Sequence, residues 1–152
     1  MSGVPYILTI DHLLTDEERL IWQAARDFGE RRIAPVIERH YEAATFPREL
    51  IPEFAAMGFL GAPLHGYGCA GMNPVAYGLT MIELEKQDSG IRSFCSVQSA
   101  LAMWPIHTYG SEEQRRQYLP GMAAGEIIGC FGLTEPHGGS DPANMKTHAK
   151  RD

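Results

Sequence analysis

The stretch IIGCFGLTEPHGGSD (residues 127–141) is where the chain changes character. Upstream of it, apolar residues recur at helical spacing. Here a short apolar run, residues 127–133, lies between Gly125 and a cluster of turn residues, and it reads as a buried β-strand. The tail MKTHAKRD (residues 145–152) alternates weakly and is expected to begin another strand. The predicted fold class is therefore mainly α: five or six helices followed by the first strand or strands of a β-structure. There is no βαβ alternation, which disfavours a doubly wound nucleotide fold.

The turn that ends the run has two readings. Gly138, Gly139, Ser140 and Asp141 form an ordinary turn in which Asp141 caps the residues that follow. The same residue types also build an anion-holding nest. Consecutive backbone N–H groups point at one site, glycine allows close approach, and Ser140 adds a hydroxyl.

Working back towards the N-terminus, Thr15 and Glu18 have the spacing of a capping box, so a helix is predicted to start there. Leu20, Ala24 and Phe28 give its apolar stripe, widened by Ile21 and Ala25. Pro35 is expected to break or kink this run, leaving residues 33–42 as a second helical piece. Pro47 opens a third, carrying Leu50, Phe54 and Met57, with Gly58 as its stop. Residues 61–73, with four glycines and a proline, are loop. Asn73 caps the next helix, on which Val75, Leu79, Ile82 and Lys86 share a face. Gly90 then interrupts, residues 91–103 form a further helix ending before Pro105, and Ser111 caps the last. Glu112 and Glu113 at its start, with Arg115 and Arg116 further on, suit the helix dipole.

Composition narrows the classes of function. The chain has 152 residues, 44% hydrophobic and 21% charged, the balance of a single globular unit. A net charge of -6 argues against a nucleic-acid partner held by a general basic surface. No apolar run approaches the roughly 18 residues needed to span a bilayer. The first residues lack the features of a secretory or organelle leader. Cys69, Cys95 and Cys130 are odd in number and far apart, as in reduced thiols, so the expected location is cytoplasmic. The six histidines and three cysteines show no metal-ligand spacing. Neither the GxSxG nor the Walker pattern is present.

A second constellation lies in ELEKQDSGIRSFCSVQS (residues 83–99). Arg92 opens an otherwise uncharged helical stretch, and its guanidinium must be paired or solvated. One reading is a salt bridge to Glu85 or Asp88, or a solvated helix end. The other is a clamp for a substrate carboxylate, which a guanidinium grips through two parallel bonds.

Together these residues resemble a known family. The run GLTEPHGGSDPAN (residues 132–144) is similar to the first signature of the acyl-CoA dehydrogenase flavoproteins. Gly132, Leu133, Thr134, Glu135, Gly138, Gly139, Ser140 and Asp141 all match, and Asn144 stands where a smaller residue is usual. Residues 83–106 resemble the glutaryl-CoA dehydrogenase branch, in which an arginine at the place of Arg92 holds the distal carboxylate of glutaryl-CoA. The likeness runs from about Leu14 to the end.

The resemblance implies an N-terminal helical domain over residues 1–126 and the start of a middle β-domain over residues 127–152. It implies FAD as cofactor, with Phe131, Gly132, Leu133, Thr134, Gly138, Gly139 and Ser140 along it. Leu133 and Thr134 face the flavin pyrimidine side, and Ser140 lies between the FAD phosphate and the CoA part. Arg92 and Ser93 meet the acyl end of the substrate, with Glu85 and Ser96 beside them. In the family reaction a glutamate removes an α-proton and a β-hydride goes to flavin. In this branch CO2 loss then yields crotonyl-CoA, and electrons leave through an electron-transfer flavoprotein. The family enzymes are homo-oligomers, usually tetramers.

That glutamate belongs to the family's C-terminal helical bundle, and no residue of this chain corresponds to it, so no catalytic residue is assigned. The chain is expected to be an N-terminal portion, inactive alone, and to associate through residues 127–152. The alternatives are a subunit completed by a separate chain, a non-catalytic helical interaction module, and another short-chain dehydrogenase or oxidase of the same family.

Overall fold

The computed structural model describes residues 10–150. After a 3-10 turn at Asp11–Leu13, seven α-helices follow: α1 (Asp16–Phe28), α2 (Ala34–Glu42), α3 (Ile51–Ala56), α4 (Pro74–Gln87), α5 (Ser89–Ser96), α6 (Trp104–Tyr109) and α7 (Glu112–Ala123). The starts of three are set locally, as the sequence predicts. Thr15 and Glu18 form a reciprocal capping box on α1, and Asn73 accepts from the Ala76 N–H at the head of α4. On α7 the partner that completes the box of Ser111 is Gln114.

Pro105, expected to end a helix, does not, and the break or kink expected at Pro35 is a change of helix type just before it, with α2 (Ala34–Glu42) as the expected second piece. Pro35 and Pro105 each stand in the first turn of an α-helix that continues a wider π-helical segment, Gly29–Ile33 and Val97–Met103. The Ala34 N–H bonds to the Gly29 carbonyl, and the Trp104 N–H to the Ser99 carbonyl, each five residues back. Proline lacks an N–H and its ring collides with the carbonyl four residues back in a regular α-helix. A π-turn changes that spacing, and the helical run passes through. The interruption expected at Gly90 falls at Asp88, whose backbone is extended; Gly90 lies in the first turn of α5, and the Asp88 Oδ1 accepts from the Ile91 N–H at 2.9 Å.

The main core gathers Phe28, Phe54 and Phe59 edge to face with Ile33, Leu60, Leu84 and Ile91 around them. Cys95 belongs to it as an apolar residue; burial pushes its thiol up to about 12. A second cluster packs Leu64 and Met103 against Leu119 and Met122 of α7. A third joins Leu14, Trp22 and Leu79, where α1 meets α4. Here the expected stripes are met only in part. On α1, Ala25 and Phe28 are buried as expected, but Leu20 is 72% exposed, Ala24 is exposed, and Trp22 is buried instead. Of the four apolar-face residues expected on α4 only Leu79 is buried, while Glu83 is buried beside it. The Glu83 carboxylate accepts from the Trp22 indole and from Lys86 at 2.7 Å, with Arg26 at 3.4 Å, so its charge is matched inside the α1–α4 seam.

The β-strand expected over residues 127–133 is absent, and the described residues contain no strand. Ile127, Ile128 and Phe131 are 40%, 45% and 49% exposed. Glu126 and Ile127 give their N–H groups to the Gly121 carbonyl at the end of α7. The Ile127 carbonyl and the Gly129 N–H go to the side chain of Gln98. A strand exists only by pairing with another strand, and none runs beside it. Among the described residues the one bridge is an isolated antiparallel contact between Glu135 and Gly138. Residues 145–150 form no strand either; the last two residues of that tail, and the first nine of the chain, lie outside the described region.

Candidate functional site

Ser89, Arg92 and Ser96 recur at three and four residues on α5 and so share one face, while Ile91 and Cys95 point into the core. That face meets Glu85 on α4. The Arg92 Nε donates to Glu85 Oε2 at 2.6 Å, and its Nη1 donates to the Ser96 hydroxyl at 3.2 Å. Ser89 donates to the other Glu85 oxygen at 2.7 Å, and Ser96 donates in turn to the Ser93 carbonyl at 3.1 Å. The Arg92 hydrogen bond, then that of Ser89, holds the Glu85 carboxyl below the usual carboxylate range. Of the two salt-bridge partners considered for Arg92, Glu85 is engaged and Asp88 is the helix cap.

The guanidinium is not sealed by this pairing. Its side chain is 35% exposed, and Nη2 takes part in neither bond. With Glu85 and Lys86 it edges an open groove of about 480 Å³ floored by Met81 and Ile82. The arrangement is a shallow apolar surface with a guanidinium at its edge that keeps donors free for an oxyanion. The resemblance groups Glu85, Arg92, Ser93 and Ser96; the structure pairs Arg92 with Glu85 and Ser96, while Ser93 takes part only through its carbonyl, which accepts from Ser96. The resemblance does not include Ser89, whose hydroxyl completes the Glu85 shell.

The second set of candidates, residues 131–140, hangs from Gln98. This buried side chain donates from Nε2 to the carbonyls of Met122 (3.1 Å) and Ile127 (2.8 Å), and its Oε1 accepts from the Gly129 N–H at 2.8 Å. Gly129 lies so close that an added Cβ would stand 2.5 Å from the Ala102 Cβ. Gln98 thus determines where the chain leaves α7. Sequence reasoning missed it, although a glutamine within CSVQSALAM is a visible signal.

Beyond that anchor, Glu135 and Gly138 exchange backbone hydrogen bonds at 3.0 and 3.1 Å around Pro136 and His137. Gly139 backs onto Thr134, where any Cβ would stand 2.9 Å from Oγ1. Around Gly132 and Gly138 there is open space instead. Asp141 precedes the 3-10 turn Pro142–Asn144 as expected, but its carboxylate takes the Asn144 side-chain amide rather than a backbone N–H. Asn144, the residue that departs from the signature, thereby ties the turn to itself. Leu133, Gly139, Asp141 and Met145 line a small cavity of about 210 Å³ here, and Ser140 is exposed. Phe131 presents its ring to solvent.

Among the described residues no group of histidine, cysteine, aspartate or glutamate side chains is arranged to hold a metal ion. No helix there is long and apolar enough to cross a membrane.

The family description "Acyl-CoA dehydrogenase, N-terminal domain" matches residues 15–126. A crystal structure of a glutaryl-CoA dehydrogenase from Mycobacterium smegmatis in complex with FADH2 has a TM-score of 0.90 and 54% identity, over 95% of this chain and 37% of that one. A second crystal structure of glutaryl-CoA dehydrogenase from Mycobacterium smegmatis has a TM-score of 0.89 and 56% identity, over 94% and 37%. An acyl-CoA dehydrogenase of Bacillus subtilis is 35% identical over 137 residues, which are 90% of this chain and 36% of the relative. The chain spans just over a third of the length of the proteins it matches.

Proposed function

This chain belongs to the acyl-CoA dehydrogenase family, and from that premise we propose that it supplies the N-terminal share of an FAD-dependent glutaryl-CoA dehydrogenase. The observation that carries the reading is the Arg92–Glu85–Ser96 cluster at the rim of an apolar groove. The likeness to a glutaryl-CoA dehydrogenase over 95% of the chain supports it. Residues 1–126 are the helical domain and residues 127–152 lead into the middle domain.

In this reading Met81 and Ile82 take the methylene chain, and Arg92 orients the distal carboxylate through the donors that Glu85 and Ser96 leave over. Ser93 lies beside the acyl end. The 131–140 loop fits a flavin dinucleotide. Phe131 offers an exposed ring, and the bare backbone at Gly132 and Gly138 admits close approach. Leu133 and Thr134 face the ring system, and Gly139 keeps Thr134 in place. Ser140 offers an exposed hydroxyl to the phosphate and CoA side. FAD, when bound, supplies the acceptor for the hydride that leaves the substrate β-carbon. The α-proton goes to a glutamate of the family's C-terminal bundle, and no residue of this chain takes that role. Decarboxylation to crotonyl-CoA, an electron-transfer flavoprotein as electron acceptor and a homotetramer complete the proposal. It places the protein in the cytoplasm, in keeping with three free thiols.

A chimera tests it, with residues 10–150 replacing the matching segment of the Mycobacterium smegmatis enzyme. It is expected to turn over glutaryl-CoA with a dye acceptor. Arg92→Ala should raise KM for glutaryl-CoA roughly tenfold to a hundredfold, the value of a charge-assisted bond. Turnover of butyryl-CoA should stay within about twofold, since that chain has no carboxylate to lose. An equal loss on both substrates would overturn the reading, as would turnover by the 152-residue chain with no other polypeptide.

A further inference from the structure

Glu135 has no assigned chemistry, yet its side chain is what closes the 130–147 loop. Its carboxylate accepts two consecutive backbone N–H groups from the far end of the loop: Lys146 to Oε2 at 2.9 Å and Thr147 to Oε1 at 2.7 Å. Its own backbone holds the tight turn with Gly138. One residue therefore ties together the glycine turn and the returning chain. Bonds to an ionised acceptor are about twice as strong as neutral ones, and two of them restrict the returning segment more than one would.

We propose that Glu135 is the positioning residue of this loop: a carboxylate staple that sets Gly138, Gly139 and Ser140 in their ligand-facing arrangement before any ligand arrives. The proposal rests on the reading that this loop faces FAD, but its mechanics stand without a ligand. Glutamine would keep one acceptor oxygen and set an amide NH2 against the second N–H. Aspartate is one methylene shorter, and alanine has no acceptor.

The charged and titratable groups around the staple are His137 and Asp141, which line the same small cavity, and Lys146 and His148 on the returning segment. The Glu135 carboxyl lies below the usual carboxylate range, chiefly through the Thr147 side chain and then the Lys146 and Thr147 N–H groups. A depressed carboxyl stabilises the closed loop fully above its unfolded value. That contribution is lost as pH falls through the lowered, folded value.

Amide-resolved 1H–15N spectroscopy of the full chain decides the matter. In the wild type, the Lys146 and Thr147 amides should exchange at least about tenfold more slowly than in Glu135→Ala. Both should titrate together at acid pH, below the ordinary carboxylate range. Glu135→Ala should also move the Gly138, Gly139 and Ser140 amides, while unchanged helical resonances show that the core is folded. Glu135→Gln should keep one of the two amides protected and lose the acid response, whereas His137→Ala on the same turn should keep both. If Glu135→Ala leaves the Gly138–Ser140 amides where they were, or if the 146–147 amides do not follow the carboxyl, the staple is wrong. Since no ligand enters this measurement, its failure would leave the chimera result untouched, and the converse holds too.

Discussion

Arg92 and Gln98 stand six residues apart on one helical run and have opposite energetic weight. Arg92 and Glu85 are paired at 2.6 Å, but their side chains are 35% and 45% exposed, so solvent screens the attraction. Gln98 is 1% exposed and satisfies two carbonyls and one N–H, the Met122 carbonyl in a buried bond and the other two in half-buried ones. Gln98→Ala should therefore cost about 3 kcal/mol of unfolding free energy, and Arg92→Ala less than about 1 kcal/mol, as measured by urea denaturation. The reverse order would contradict the site geometry described above. Arg92 was legible in the sequence because a charge in an apolar stretch demands a partner. The weight of Gln98 was not, because its partners lie 24 to 31 residues away.

Among the elements, capping was legible and facing was not. The boxes of Thr15 with Glu18 and Ser111 with Gln114 join residues three apart, so any chain with those residues can form them. Thr15→Ala and Ser111→Ala should each cost about 1 kcal/mol, and the pair about 2 kcal/mol, since the two helix ends share no partner. Thermal unfolding of the two single variants and the double variant checks this. A double variant no worse than either single one would mean that the caps are coupled. The buried faces of α1 and α4 depend instead on what lies opposite. Leu20 and Val75 are apolar but stay exposed, while Glu83 is buried because Trp22, Arg26 and Lys86 converge on it. At Pro105 the helical run continues where a stop is expected, and at Pro35 it changes type rather than breaking. The breaker rule assumes bonds four residues back, and here the preceding turns bond five back.

Over the whole molecule, the seven helices close their own core, while Ile127, Ile128 and Phe131 remain on the outside with Leu101 and Trp104. Exposed apolar residues of this size tend to be covered by another surface. The 152-residue chain in solution should show mass increasing with concentration by light scattering, and Ile128→Ser with Phe131→Ser should shift it towards the monomer. A clean monomer at high concentration would argue against association through this region. By itself the sequence determined the starts of α1, α4 and α7, the loop at 61–73 and the family. The caps and the loop rest on residues within a few positions of one another. Only the tertiary structure decided which faces are buried, that Arg92 takes Glu85 rather than Asp88, and that residues 127–133 are not a strand. Burial and strand pairing are relations between distant segments, and a strand without a partner has nowhere to place its hydrogen bonds.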